Sequence, residues 1–152
     1  MPTTTRHRTI GAPPEAVWRV AGDPNHLPRW WPRVRRVEAV SEAGWTKVFM
    51  TGKGRPVRAD YTLLETEPPR AISWSQELED SPFERLMDEA VTEVRLAPAA
   101  SRDGDGTEVT IVLRQRLRGW ARFAPFLVKR GTRKLLDEAL DGLERALGGG
   151  AE

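Results

Sequence analysis

Residues 57–78 read VRADYTLLETEPPRAISWSQEL, and the alternation within them decides the fold. Val57, Ala59, Tyr61 and Leu63 fall on one face of an extended chain, and Arg58, Asp60 and Thr62 on the other. After the Pro68-Pro69 turn, Ile72, Trp74, Gln76 and Leu78 repeat the pattern against Ser73, Ser75 and Glu77. Neighbouring strands with one apolar and one polar face describe an antiparallel sheet that is wet on one side and must be covered on the other.

The same rhythm extends both ways. From Val34 to Leu117, segments of roughly eight to twelve residues rich in Val, Ile, Thr and aromatics are separated by turn residues at Gly44, Gly52 to Gly54, Pro68-Pro69, Asp80 to Pro82 and Arg102 to Gly106. Six consecutive antiparallel strands are expected there. In the last, Val109, Ile111, Leu113, Gln115 and Leu117 share a face after the turn Asp103-Gly104-Asp105-Gly106, whose glycines permit the positive φ of a hairpin. Upstream, Thr3 to Ile10 is β-branched and suits an opening strand. Pro13 and Pro14 then begin a short helix reaching about Ala21, with Gly22 as its stop, and Asp23-Pro24 begins a second one. In that second helix Leu27, Trp30 and Trp31 recur at helical spacing.

The cover for the apolar face is the segment from about Pro125 to Leu147, where Val128, Leu135, Leu136, Ala139, Leu140, Leu143 and Leu147 form a helical stripe. Lys129, Arg130, Arg133 and Lys134 occupy its first half and Asp137, Glu138, Asp141 and Glu144 its second, against the helix dipole at both ends. Spacing predicts local pairs such as Lys134 with Glu138 and Asp141 with Arg145 as partial compensation. Residues 1–147 are expected to form one domain and 148–152 a frayed tail.

A chain of 152 residues without cysteine can bury a core without staples, carries no disulfide or thiolate, and fits a reducing compartment. Cytoplasm is the expected location, since neither an export signal nor a run of about 18 apolar residues is found. The net charge of +2 is too small to mark a nucleic-acid binder by itself.

These elements carry a resemblance. The order strand, two short helices, six strands and long helix, with Ala12-Pro13-Pro14-Glu15-Ala16-Val17-Trp18, Asp23-Pro24 and Pro28-Arg29-Trp30-Trp31-Pro32, resembles the START/Bet v 1-like (SRPBCC) superfamily in its polyketide cyclase/dehydrase and lipid-transport branch. The resemblance spans nearly the whole chain. It implies an α+β helix-grip fold, a curved seven-stranded antiparallel sheet around the C-terminal helix. It also implies a cavity between the two that holds a lipid, polyketide or similar hydrophobic molecule. A cyclase or dehydratase is the runner-up reading, because such relatives fold a reactive chain in a shaped pocket and need no catalytic triad. A structural or interaction domain with a filled core is the third.

The expected cavity wall comprises Trp30, Phe49, Tyr61, Trp74, Gln76, Leu113, Gln115, Phe126 and Leu136. Gln76 and Gln115 stand out because an amide on an apolar strand face needs a hydrogen-bond partner. Either they orient a ligand's polar group, or they bond each other, water or backbone. The tryptophans are either wall or plain core. For catalysis, Tyr61 is the first candidate, as a hydroxyl able to polarise a carbonyl, and His26 the second, with an exposed helical histidine as its competing reading. Arg58 and Asp60 share an outer face and read as a surface pair. No metal and no cofactor are expected: there is no His-Glu-x-x-His and no phosphate-binding glycine loop. Basic residues flank Trp30 and Trp31, and again Trp120, Phe123 and Phe126, so transient contact with an anionic membrane ranks ahead of nucleic acid as a further partner. Monomer and homodimer stay open.

Overall fold

The computed structural model describes residues 2–50, 53–79, 84–101 and 104–149. Strand β1 (Thr3–Ile10) is followed by α1 (Pro14–Ala21), a 3-10 turn (Pro24–His26) and α2 (Leu27–Trp30). Then come β2 (Val34–Glu38), β3 (Gly44–Met50), β4 (Pro56–Glu67), β5 (Ala71–Gln76), β6 (Met87–Ser101) and β7 (Gly104–Leu117). A 3-10 turn (Gly119–Phe123) leads into α3 (Pro125–Glu144), which ends in a π-helical turn (Arg145–Gly149).

All seven strands form one antiparallel sheet in the order β1-β7-β6-β5-β4-β3-β2. Register shifts at Val34/Arg36, Leu63/Glu65 and Met87/Glu89 insert bulges, which bend strands and increase their twist. The concave face closes on α3, whose Leu136, Ala139, Leu140 and Leu143 are fully buried against Val109, Ile111 and Val94. The chain leaving β1 is anchored to β7, where the Thr107 hydroxyl donates to the Ala12 carbonyl at 2.7 Å.

Two glycines record close approaches. Gly142 lies where α3 crosses α2, and a Cβ there would collide with the Trp30 carbonyl. Gly22 ends α1 in ordinary right-handed geometry, and its need is steric, because the Trp18 ring occupies the space a side chain would take.

Several local expectations need correction. The acids of α3 are not compensated chiefly within the helix. Arg6 donates to Asp137 through Nε at 2.8 Å and Nη2 at 3.1 Å, Arg8 pairs with Asp141 and lies 3.7 Å from Glu144, and Arg33 lies 3.9 Å from Glu138. Residues 137, 141 and 144 share one helical face, and β1 supplies the matching cations from its inward positions. Arg58 and Asp60 do not pair with each other: Arg58 reaches Glu38 at 2.7 Å, and Asp60 accepts from Thr46 Oγ1 at 2.6 Å. Gly104, Asp105 and Gly106, expected in a turn, are strand residues, and Ser101 pairs with Gly104. Arg102, Asp103, Gly52, the 80–82 turn and tail residues 150–152 lie outside the described residues.

Candidate functional site

Between the concave face and α3 lies a cavity of about 290 Å³. Its walls follow from the alternation of the strands. Phe49 and Lys47 come from β3, Tyr61 from β4, Trp74 and Gln76 from β5, Ala90 and Thr92 from β6, and Leu113 and Gln115 from β7. Leu135 closes it from α3, and Trp31 to Val34 form the side next to α2.

The aromatic wall is a connected chain. Trp30 meets Trp31 edge-on at 5.3 Å, Trp31 meets Trp74 at 5.8 Å, Trp74 meets Trp45 at 5.6 Å, and Trp45 stacks on Tyr61 at 6.2 Å with an interplanar angle of 10°. Such contacts fix ring orientation as well as burying area. The indole N–H groups of Trp30, Trp45 and Trp74 are buried without a hydrogen-bond partner among the described residues.

Lys47 lies inside this aromatic wall. Its Nζ is 4.2 Å from the centre of the Tyr61 ring, 4.6 Å from that of Trp31 and 5.4 Å from that of Trp74. The residue is 2 % exposed, and burial pushes its pKa down from the ordinary lysine value to about 7. The opposing effect is the attraction of a cation to ring faces. Burial likewise raises the Tyr61 hydroxyl above the usual tyrosine value, so it stays protonated at neutral pH. No lysine is among the wall residues expected from the sequence. The signal for this one is its parity: in Trp45-Thr46-Lys47-Val48-Phe49 it shares the face of Trp45 and Phe49, and register sets it opposite Ala59, two residues from Tyr61.

Of the residues expected on the wall, Phe49, Tyr61, Trp74, Gln76, Leu113 and Gln115 line the cavity. Trp30 does not. It is buried behind Trp31, plugging the α2–α3 crossing. Leu136 is fully buried in the core one position away from the lining Leu135. Phe126 is 69 % exposed, on the α3 face that it shares at helical spacing with the exposed Arg130 and Arg133. His26 is outside the cavity, its Nδ1 accepting from Arg29 at 3.3 Å and its Nε2 lying 3.7 Å from Asp23.

The two glutamines differ. Gln115 is buried and bonded: the one proton of Thr132 Oγ1 is shared between Gln115 Oε1 at 3.2 Å and the Val128 carbonyl at 2.9 Å, and Gln115 Nε2 lies 3.4 Å from the Met87 sulfur. It therefore ties β7 to α3. Gln76 is half-buried on the cavity wall and has no side-chain hydrogen bond among the described residues. No cluster of His, Asp and Glu able to hold a metal occurs among the described residues, and no helix among them is long and apolar enough to cross a membrane.

A family model described as polyketide cyclase/dehydrase and lipid transport matches residues 1–148. No curated protein matches the sequence. Among solved structures, one from Thermus thermophilus is similar at 22 % identity with a TM-score of 0.74, over 99 % of this chain and all (100 %) of that one. A conserved protein from Geobacillus kaustophilus gives 13 % identity and 0.76 over 96 % and 95 % of the two chains. A START superfamily protein from Mycobacterium smegmatis gives 12 % and 0.74 over 95 % and 96 %. At these identities the likeness is one of fold.

Proposed function

The chain belongs to the polyketide cyclase/dehydrase and lipid transport family, and from that membership we propose that it binds a small, mainly apolar molecule in the cavity between its sheet and α3. The observation that carries this reading is the 290 Å³ cavity itself: strands β3 to β7 supply most of its wall, its lining is mostly aromatic and aliphatic, and its polar groups are few and separately placed. That is the usual make-up of a small-molecule site. A ligand burying about 400 Å² of apolar surface gains roughly 10 kcal/mol gross. Association costs of about 4 kcal/mol or more leave micromolar affinity or weaker, before polar contacts add to it.

The neutral fluorophore N-phenyl-1-naphthylamine tests this reading. The chain is expected to bind it with micromolar affinity, and Ala90→Trp, which fills the cavity from β6, to abolish binding while the protein stays folded. Native mass spectrometry of freshly purified protein is the companion measurement. An empty protein that also ignores the probe would defeat the reading and favour a filled structural core.

A cyclase or dehydratase is the second reading, favoured by the cation of Lys47 and the hydroxyl of Tyr61 on one wall. Turnover of a poly-β-ketone that is lost in both Lys47→Met and Tyr61→Phe supports it. Binding without turnover argues for a carrier.

Loading from a membrane belongs with the first reading. Trp120, Phe123, Phe126 and Leu127 are 66, 83, 69 and 52 % exposed. Arg122, Lys129 and Arg130 stand among them, without ion pairs among the described residues. They follow directly on Leu117, whose strand partner is the cavity-lining Met87. Exposed aromatics beside free cations suit an anionic lipid surface.

A further inference from the structure

The cavity holds a charge that the fold leaves unexplained. Lys47 meets no carboxylate and no hydrogen-bond acceptor among the described residues, yet a buried ammonium without a partner is costly. An apolar side chain would pack the same wall without that cost. The stem does not carry the head out to water either, as lysines near a surface usually do, because the residue is 2 % exposed. Three rings instead hold Nζ against the cavity wall, and ring faces satisfy charge while accepting no conventional hydrogen bond.

We propose that Lys47 is the head-group site of this cavity, and that the bound molecule is a small amphipath whose apolar body fills the aromatic pocket and whose anionic oxygen group, such as a carboxylate, pairs with the Lys47 ammonium. The inference rests on the cavity-binding reading above. The unbonded Gln76 amide and the Tyr61 hydroxyl offer donors to a second oxygen. Arg33 is the other cation of the lining, but its side chain is 60 % exposed and lies 3.9 Å from Glu138, so its charge is already screened and shared. The groups facing Lys47 are the rings of Trp31, Tyr61 and Trp74, with Val37 of β2 and Ala59 of β4 beside it in register. Burial holds the proton on Tyr61 and loosens it on Lys47, and an arriving anion draws the proton back onto Lys47.

N-phenyl-1-naphthylamine and its 8-sulfonate derivative share one apolar body and differ by one anionic group. Both are titrated into the full chain and into Lys47→Met at pH 6 and pH 9. The ratio of sulfonate to neutral-probe affinity is expected to be at least about tenfold higher in the wild type than in the variant at pH 6, and to fall toward the variant's value at pH 9. Neutral-probe affinity in each protein is the reference, so any change in the cavity that affects both probes cancels in the ratio. A ratio unchanged by Lys47→Met overturns the proposal while neutral-probe binding leaves the cavity reading intact. Failure of both probes to bind overturns the two together. Should the variant not fold, the wild type decides: a sulfonate preference that does not fall between pH 6 and pH 9 overturns the assignment.

Discussion

The Lys47 ammonium lies 4.2 Å from the centre of the Tyr61 ring, with no carboxylate beside it among the described residues. An unfolded lysine keeps its proton up to a pH of about 10.5, whereas the folded one releases it near 7. Between those values the unfolded state binds more protons, so stability rises with pH across that window and the full penalty is felt below it.

Lys47→Met should therefore stabilise the protein most in acid. The gain over wild type is expected to be roughly 3 kcal/mol or more at pH 6 and to shrink by about 2 to 3 kcal/mol at pH 9. Urea denaturation of both proteins at the two pH values measures it, and the difference between them cancels the titration of every other group. A gain independent of pH would mean that Lys47 keeps its proton in the fold across this range.

Thr132 and Gln115 provide a second test, because one hydroxyl, shared with the Val128 carbonyl of its own helix, reaches a buried amide oxygen across the β7–α3 boundary. Thr132→Val removes the donor at nearly constant volume, and is expected to cost about 1 to 3 kcal/mol by leaving Gln115 Oε1 unpaired. Adding Gln115→Leu should restore most of the loss. A double variant no more stable than the single one would show that Gln115 finds its partners elsewhere.

The sheet was legible because burial on one face imposes a period of two, and Val57 to Leu63 displays it without interruption. The covering helix was legible for the corresponding reason at period 3.6. What escaped was partner choice across the fold. Arg6 and Arg8 sit on the inward parity of β1 and look misplaced until α3 brings Asp137 and Asp141 over them. Lys47 escapes because charge on a strand ordinarily marks the wet face, although its parity with Trp45 and Phe49 says otherwise. Phe126 fails as a wall residue because it lies off the apolar stripe of α3, on the exposed face of Arg130 and Arg133.

Two glycines of α3 should respond in opposite directions to the same substitution. Gly→Ala inside a helix normally gains about 1 kcal/mol, and Gly131, with open space around its Cβ position, should gain about 0.5 to 1 kcal/mol. At Gly142 the added methyl meets the Trp30 backbone, which cannot rotate away as a side chain would. Gly142→Ala is expected to lose about 1 to 3 kcal/mol despite the helix gain. Thermal melts of the two variants give the comparison, and equal shifts would deny the close α2–α3 crossing.

The exposed cluster at Trp120, Phe123, Phe126 and Leu127 contributes little to the core, so its role can be separated from stability. Replacing Trp120, Phe123 and Phe126 together by Ser should leave the melting temperature nearly unchanged, since exposed side chains cost little to remove. Sedimentation with phosphatidylglycerol vesicles should then drop sharply relative to wild type. Arg122, Lys129 and Arg130 act through a different force, worth roughly 1 kcal/mol each near an anionic surface and screened by salt. Changing them to Gln is expected to weaken binding to anionic vesicles and to remove most of its salt dependence, while the aromatic variant retains that dependence in whatever binding persists. If the aromatic variant sediments as well as wild type, the cluster does not enter the bilayer and loading from a membrane loses its structural support. If it instead melts many degrees lower, the aromatics are packing residues rather than a membrane-facing surface.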